Sequence, residues 1–439
     1  MSKPAKMYVL FVSLLLIFSL GTGIQSAKTD SGFQQPKHGL LRSIGQRFQI
    51  HAKTSFAAVG LAKPLAVGAG ELQEVLPLQM EKPAAVKGIY LTSWMAGDSK
   101  FLQGLVGFVN QTEVNSIVVD VKDDSGMVSY PSKVPLVRQI GASRTKFNPQ
   151  KLLGLLKQNN IYPIARIVVF KDPYLASHRP DLAVRNSQGG LWADFQGLRW
   201  VDPYNKAVWE YNVAVAKEAA ALGFREVQFD YVRFTSDGLI KNCRYQAADN
   251  RSKSSVIRDF LKYAYQELNP MGIKVSADVF GLACSANDDL GIGQVLQKVA
   301  EGVDIICPMV YPSHYRKGEY NISDPDLKPL ETVYQSLTDA QKKLAAVEGR
   351  RVILRPWLQD FSMRNRYGRD QLLAQINAVE KSGLQEWIFW NPTNRYDINK
   401  YRLKSEVIPE QTLPPLLESM KSNPEPFQTT PQPSPKEEP

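Results

Sequence analysis

The sequence predicts an α/β protein, a (β/α)8 TIM barrel with enlarged loops after its strands, preceded by an export signal or anchor and a linker. Three observations predict it. Eight short apolar runs alternate with helical ones, and strands separated by helices imply right-handed crossovers and a parallel sheet. The alternation fills residues 85–410, which suits eight β/α units with long loops. No G-x-G-x-x-G or P-loop follows the first strand, so a doubly wound open sheet fits less well.

Taken in order, the chain opens with Lys3 and Lys6 before an apolar run from Tyr8 to Leu20, then Gly21, Thr22 and Gly23. That is the charged and apolar build of an export signal over residues 1–27. The run is shorter than the roughly 20 residues a spanning helix prefers, but extending it through Ile24 would allow an uncleaved anchor, hence a membrane tether. Residues 28–84 mix Gln, Lys, Ala and Gly with isolated Pro and read as a linker, with one short helix near Gly39–Arg47. Residues 411–439 are Pro-rich among Ser, Thr, Glu and Lys, a tail that cannot bury enough apolar surface to order itself.

Within the barrel the strand candidates are Val86–Trp94, Ser116–Val121, Tyr162–Phe170, Glu226–Phe234, Lys274–Phe280, Asp304–Tyr311, Arg351–Trp357 and Glu386–Trp390. Each is dominated by β-branched, aromatic or other apolar residues. The helical stretches between them are Lys100–Thr112, Pro149–Asn159, Asn205–Leu222, Ser254–Leu268, Leu290–Ala300, Pro329–Val347 and Asp370–Ser382.

Composition excludes some classes. A formal charge of +10 over 439 residues is mild, and Lys and Arg are scattered among acids with no basic run interleaved with aromatics. Nucleic acid is therefore not an expected partner, although a polyanionic surface would attract the chain weakly. Four histidines, with only His314 near a strand end, cannot make a His-rich zinc site. Asp120-x-x-Asp123-Asp124-Ser-Gly126 lacks the ligand spacing of a calcium loop, and no G-x-S-x-G is present. No metal and no cofactor is expected. Of three cysteines, Cys307 sits in an apolar run as a small buried hydrophobe. Cys243 and Cys284 fall in loops after the fourth and fifth strands and would bridge if their Cα atoms came within about 4.4–6.8 Å; otherwise both are free.

Polar residues gather toward the carboxyl ends of the strands, which in a barrel converge on one mouth. They include Trp94, Asp120, Asp123, Arg166, Asp230, Arg233, Asp278, Tyr311, His314, Arg355, Trp357 and Trp390. Acids with aromatics favour a sugar ligand, because Trp and Tyr faces stack on pyranose rings while Arg and Asp bond hydroxyls. Glycosidic cleavage needs two carboxyl groups flanking the bond. Asp230 and Asp278 lie at equal depth on adjacent strands, and strands about 4.8 Å apart would bring them near the roughly 5 Å of a retaining pair. Asp120 competes for either role.

These residues carry a resemblance. The stretches GIYLTSW (Gly88–Trp94), SIVVDVKDDSGMVSY (Ser116–Tyr130), ARIVVFKDPYLASHRPDLAV (Ala165–Val184), WVDPYNKAVWEYN (Trp200–Asn212), EVQFDYVRF (Glu226–Phe234) and PMVYPSHY (Pro308–Tyr315) resemble the putative glycosyl hydrolase domain family. Its members are bacterial barrels distantly similar to retaining α-glycosidases. The resemblance implies a nucleophilic Asp on the fourth strand, matching Asp230, and an acid from the fifth or sixth. The sixth offers only Asp304, at its wrong end, so Asp278 takes the role. The implied activity is cleavage of an envelope or extracellular polysaccharide by an exported or tethered enzyme. A non-catalytic carbohydrate-binding or scaffolding barrel would use the same aromatic mouth.

Overall fold

A computed structural model describes residues 80–347, 349 and 352–407. The expected export segment and Pro-rich tail, and all but the end of the linker, lie outside them. Among the described residues no helix is long and apolar enough to cross a membrane.

Strands β1 (Lys87–Leu91), β2 (Ser116–Lys122), β3 (Tyr162–Val168), β4 (Glu226–Asp230), β5 (Lys274–Phe280) and β6 (Ile305–Met309) pair in sequence order, all parallel. The ring continues through β7 (Ile353–Leu354) and β8 (Trp357–Gln359) to β9 (Trp387–Trp390), which pairs with β1 and closes it. β7 and β8 are two halves of one stave: both pair with β6, and Pro356 between them has no N–H to give the ladder. The result is a closed eight-stave parallel barrel wrapped by helices.

Period-two alternation sorts the strand residues. Ile89, Leu91, Ile117, Val119, Ala165, Ile167, Val227 and Phe229 join the large apolar layer beneath the helices. Tyr90, Val118, Tyr162, Ile164, Ile305, Cys307, Trp357 and Ile388 fill the barrel interior instead. The helices Ser99–Gln111, Pro149–Gln158, Lys206–Leu222 and Lys253–Leu268 start where a side chain of Asp98, Asn148, Asn205 or Ser252 accepts a backbone N–H of the first turn.

Several expected elements are shorter than their apolar runs suggest, and for two the backbone shows why. β4 ends at Asp230 instead of Phe234, because Tyr231 adopts a left-handed φ of 52° that no ladder accommodates. The helix expected over Leu290–Ala300 is confined to Leu296–Ala300, since Leu290, Gly291 and Gly293 all have positive φ. The loops also hold short helices that carry no long periodicity, Ser93–Gly97, Pro135–Ile140 and Pro173–His178.

The barrel floor is sealed by buried charges. Arg355 pairs with Glu226, the first residue of β4, which also accepts from Ser276 Oγ at 2.6 Å. Arg355 Nη1 lies 3.8 Å from Glu386, and Lys82 pairs with the same Glu386. Met80 packs on the interior cluster from below, so the last residues of the expected linker belong to the domain. At the floor too, near the chain's last described residues, Leu403 bridges to Thr112 and Glu113 N–H donates to Arg402 O at 3.0 Å, just ahead of β2.

Candidate active site

The mouth is organised by one guanidinium. Arg166 from β3 donates through Nη1 to Asp120 Oδ1 of β2 at 2.6 Å. Its Nε and Nη2 donate to Asp230 Oδ2 of β4 at 3.0 and 2.5 Å. Register explains the reach: Asp120 faces Arg166 across one ladder, and Asp230 faces Val168, two residues beyond Arg166, across the next. Asp230 Oδ1 takes the backbone N–H of Tyr231 at 2.5 Å, which the left-handed turn presents to it. Tyr90 Oη donates to Asp120 Oδ2 at 2.5 Å, and its ring stacks on Trp390 at 3.9 Å. Arg166 lies 5.3 Å from the Trp390 ring centroid and 5.7 Å from that of Tyr90.

Asp278 occupies the level of Asp230 on the adjacent strand, since the pairing runs from Glu226 with Lys274 to Phe229 with Ala277. Its Oδ1 accepts from Gln228 Nε2 at 2.5 Å and from Trp357 Nε1 at 2.7 Å. Burial, then the neighbouring Asp230, raises its pKa well above the ordinary carboxyl range, against the opposing pull of Arg166. The shift favours the protonated form of this carboxyl. Asp120 is pushed up to about 6: burial outweighs the Arg166 guanidinium, and Asp123 adds to it.

Around this centre stand the other mouth residues. Tyr311 meets His314 and Phe361 edge-on at 5.4 and 5.5 Å. His314 shares a hydrogen bond with Ser313 Oγ, and burial followed by Arg364 pushes its imidazole down to about 4, so it is neutral. Trp94 is 52% exposed on the lip, with Arg144 at 4.8 Å and Lys146 at 5.6 Å from its ring centroid. Asp123 pairs with Lys146 and closes a turn by accepting from Ser125. Arg233 is buried against Trp200, Tyr231 and Phe280.

Arg355 is not with them. Its side chain runs to the floor, where Glu226 and Glu386 hold it, so its expected place at the mouth is corrected. Cys243 and Cys284 are unbridged: the Cys243 thiol lies 3.5 Å from Thr235 Oγ1, whereas Cys284 is fully buried. Tyr90, Lys171, Gln228 and Tyr231 belong to the mouth without having been expected there. Period two back from Asp230 points to Gln228, but nothing local distinguishes Tyr90 from a core aromatic. Among the described residues no three His, Cys, Asp or Glu gather as a metal would require.

The family model described as "Putative glycosyl hydrolase domain" matches residues 88–396. The chain belongs to that family. Among solved structures, this family member is similar to the PgaB (BpsB) glycoside hydrolase domain from Bordetella bronchiseptica. The identity is 12% and the TM-score 0.54, over 73% of this chain and 99% of that one. A hypothetical protein from Ruminiclostridium thermocellum is 46% identical over 44% of this chain and 97% of its own, with a TM-score of 0.41. An α-galactosidase from Thermus thermophilus shares 13% identity over 75% of this chain and 61% of that one, with a TM-score of 0.46. No curated protein matches the chain. At such identity the PgaB likeness establishes the (β/α)8 fold.

Proposed function

We propose that this barrel hydrolyses glycosidic bonds of an envelope or extracellular polysaccharide with retention of configuration, Asp230 acting as nucleophile and Asp278 as acid and base. One observation carries the reading. A carboxylate fixed by Arg166 and the Tyr231 N–H stands level, on the adjacent strand, with a buried carboxyl whose pKa is raised. Adjacent strands lie about 4.8 Å apart, near the roughly 5 Å of a retaining pair. A sugar binder needs the aromatic faces but has no use for a second, buried carboxyl level with an oriented carboxylate.

In the first half-reaction Asp278 gives its proton to the leaving oxygen as Asp230 attacks the anomeric carbon and forms a glycosyl ester. In the second, Asp278 takes a proton from water, which cleaves the ester and releases the sugar. Arg166 orients the nucleophile, while Trp390, half-buried where it stacks on Tyr90, offers a face for a pyranose ring. The export segment over residues 1–27 would carry the enzyme to its polymer, which cell fractionation tests.

The experiment is hydrolysis of aryl glycosides and bacterial polysaccharides by the full chain and two variants. Asp230→Asn is expected to fold and lose turnover by on the order of 10³-fold or more. Asp278→Asn is expected to spare substrates with good leaving groups relative to natural ones, because protonation matters less for them. Unchanged turnover in Asp230→Asn sinks the proposal.

A further inference from the structure

The arc of the mouth built after β1–β4 holds cations that have no ion-pair partner among the described residues. Lys171, in the loop after β3, is 4% exposed, and its Nζ lies 5.0 Å from the Tyr231 ring centroid. Among the described residues it has no hydrogen-bond acceptor and no carboxylate within ion-pair reach, and its ammonium is not sealed from solvent. Arg233, in the loop after β4, is 3% exposed and lies 5.1 Å from the same ring. Its Nη1 donates to Phe234 O and Ser236 Oγ, while Nε and Nη2 meet no acceptor among the described residues. Further out, Arg144 stands over the exposed Trp94 ring, also without a carboxylate.

Magnitudes separate a structural from a ligand role. A cation held against an aromatic face gains only modestly from the contact. An ammonium stripped of most of its water without a counter-charge loses more than one ring contact returns. Ring contacts therefore do not account for two such cations beside Asp230. The acids of this region do not cancel them at contact distance. Asp230 already accepts from Arg166, and Asp124, Asp194 and Asp237 act on Tyr231 or Arg233 only through space. Tyr231 itself is held in a left-handed conformation that a bulky residue rarely adopts, strain of the kind that collects at functional sites.

We infer that Lys171, Arg233 and the Tyr231 hydroxyl form a subsite for the carboxylate of an acidic sugar residue, next to the bond that Asp230 attacks. The inference rests on the glycosidase reading and narrows it to acidic glycans. Lysine supplies a point charge and the arginine fork two parallel donors, a pairing suited to a planar carboxylate. Arg144 over Trp94 extends the same preference to the outer lip, where a ring can stack while its acid group meets the guanidinium.

The test is binding without turnover. The full chain carrying Asp230→Asn is applied to a glycan array in which each acidic oligosaccharide is paired with its carboxyl-reduced form. At least one acidic member is expected to bind about tenfold or more tighter than its reduced partner, the worth of one charge-assisted hydrogen bond. Adding Lys171→Met is expected to abolish that preference while Tm holds or rises, since an unpaired buried charge is removed. Lys171→Arg is expected to retain it. Equal binding within every pair overturns the inference, as does a preference that survives both Lys171→Met and Arg233→Gln, or a preference for phosphate-bearing glycans alone. Selective binding by a wild-type chain that hydrolyses nothing would keep the subsite and remove the catalytic reading, so the two fail separately.

Discussion

Trp357 donates its indole N–H to Asp278 at 2.7 Å, from the upper half of the interrupted stave to the carboxyl two strands away. The indole is buried and meets Trp390 nearly at right angles, at 5.5 Å, so the donor has one direction available. Arg355, two residues earlier, runs to the floor instead. A single stave thus supplies one residue to stability and the next inward residue to the site.

Trp357→Phe keeps the ring and removes the donor. That hydrogen bond lowers the Asp278 pKa, so its loss raises a value that burial has already raised. The acid must be protonated to act, and the alkaline limb of the kcat profile is expected to move to higher pH. Turnover at neutral pH should fall by about tenfold, the worth of one hydrogen bond to a charged or developing charge. An unmoved limb with lowered turnover would make Trp357 merely a packing residue.

Asp120 predicts a pH dependence of stability. Its folded pKa of about 6 exceeds the 3.8 of a free carboxyl, so the ionised form is disfavoured in the fold. The contribution to stability is complete below about pH 4, declines as pH rises, and is lost above about 6. Relative to Asp120→Asn, wild type should lose roughly 2–3 kcal/mol across that window. Urea unfolding midpoints of both proteins between pH 4 and 7 measure it, and parallel curves would contradict it.

At the floor, Arg355→Met strands Glu226 and Glu386 without their guanidinium. Breaking a buried pair from one side costs about 3–5 kcal/mol. Tm should fall sharply while KM stays unchanged. A raised KM would return Arg355 to the mouth.

Thiol counting checks the cysteines. All three are free, and two of them are fully buried, with Cys284 pushed up to about 12 by burial and Cys307 also raised. Ellman's reagent should reach Cys243 first in native protein and count three thiols after denaturation without reductant. A count of one would restore the Cys243–Cys284 bridge.

Much of the barrel is legible because period two and period 3.6 are local properties. The run Lys274–Phe280 is the strand to the residue, and Asp278 is found by counting along it. Asp230 is legible in the same way, as a carboxylate in an apolar strand. The turn directly after Asp230 is hidden: Tyr231, Val232 and Phe234 have the composition of a strand, and only the tertiary setting turns Tyr231 to positive φ. Arg355 shows a second limit. The alternation places it inside the barrel, but a long side chain chooses between floor and mouth by its partners, and Glu226 lies more than a hundred residues away in sequence. Lys171 escapes notice because a lysine in a loop ordinarily points to water. Only its burial against Tyr231 marks it.

The floor bears on how the molecule can be mounted. Met80 and Lys82 enter beneath the barrel, and Leu403 leaves beside Thr112 on the same side. Both attachment points of the domain therefore sit on the hemisphere opposite Asp230. A barrel immobilised by either end presents its cleft outward, and a polymer too long to enter end-first can lie across the opening without meeting either attachment point. Coupling the protein to a solid support through either end should therefore leave its turnover of a long substrate nearly intact.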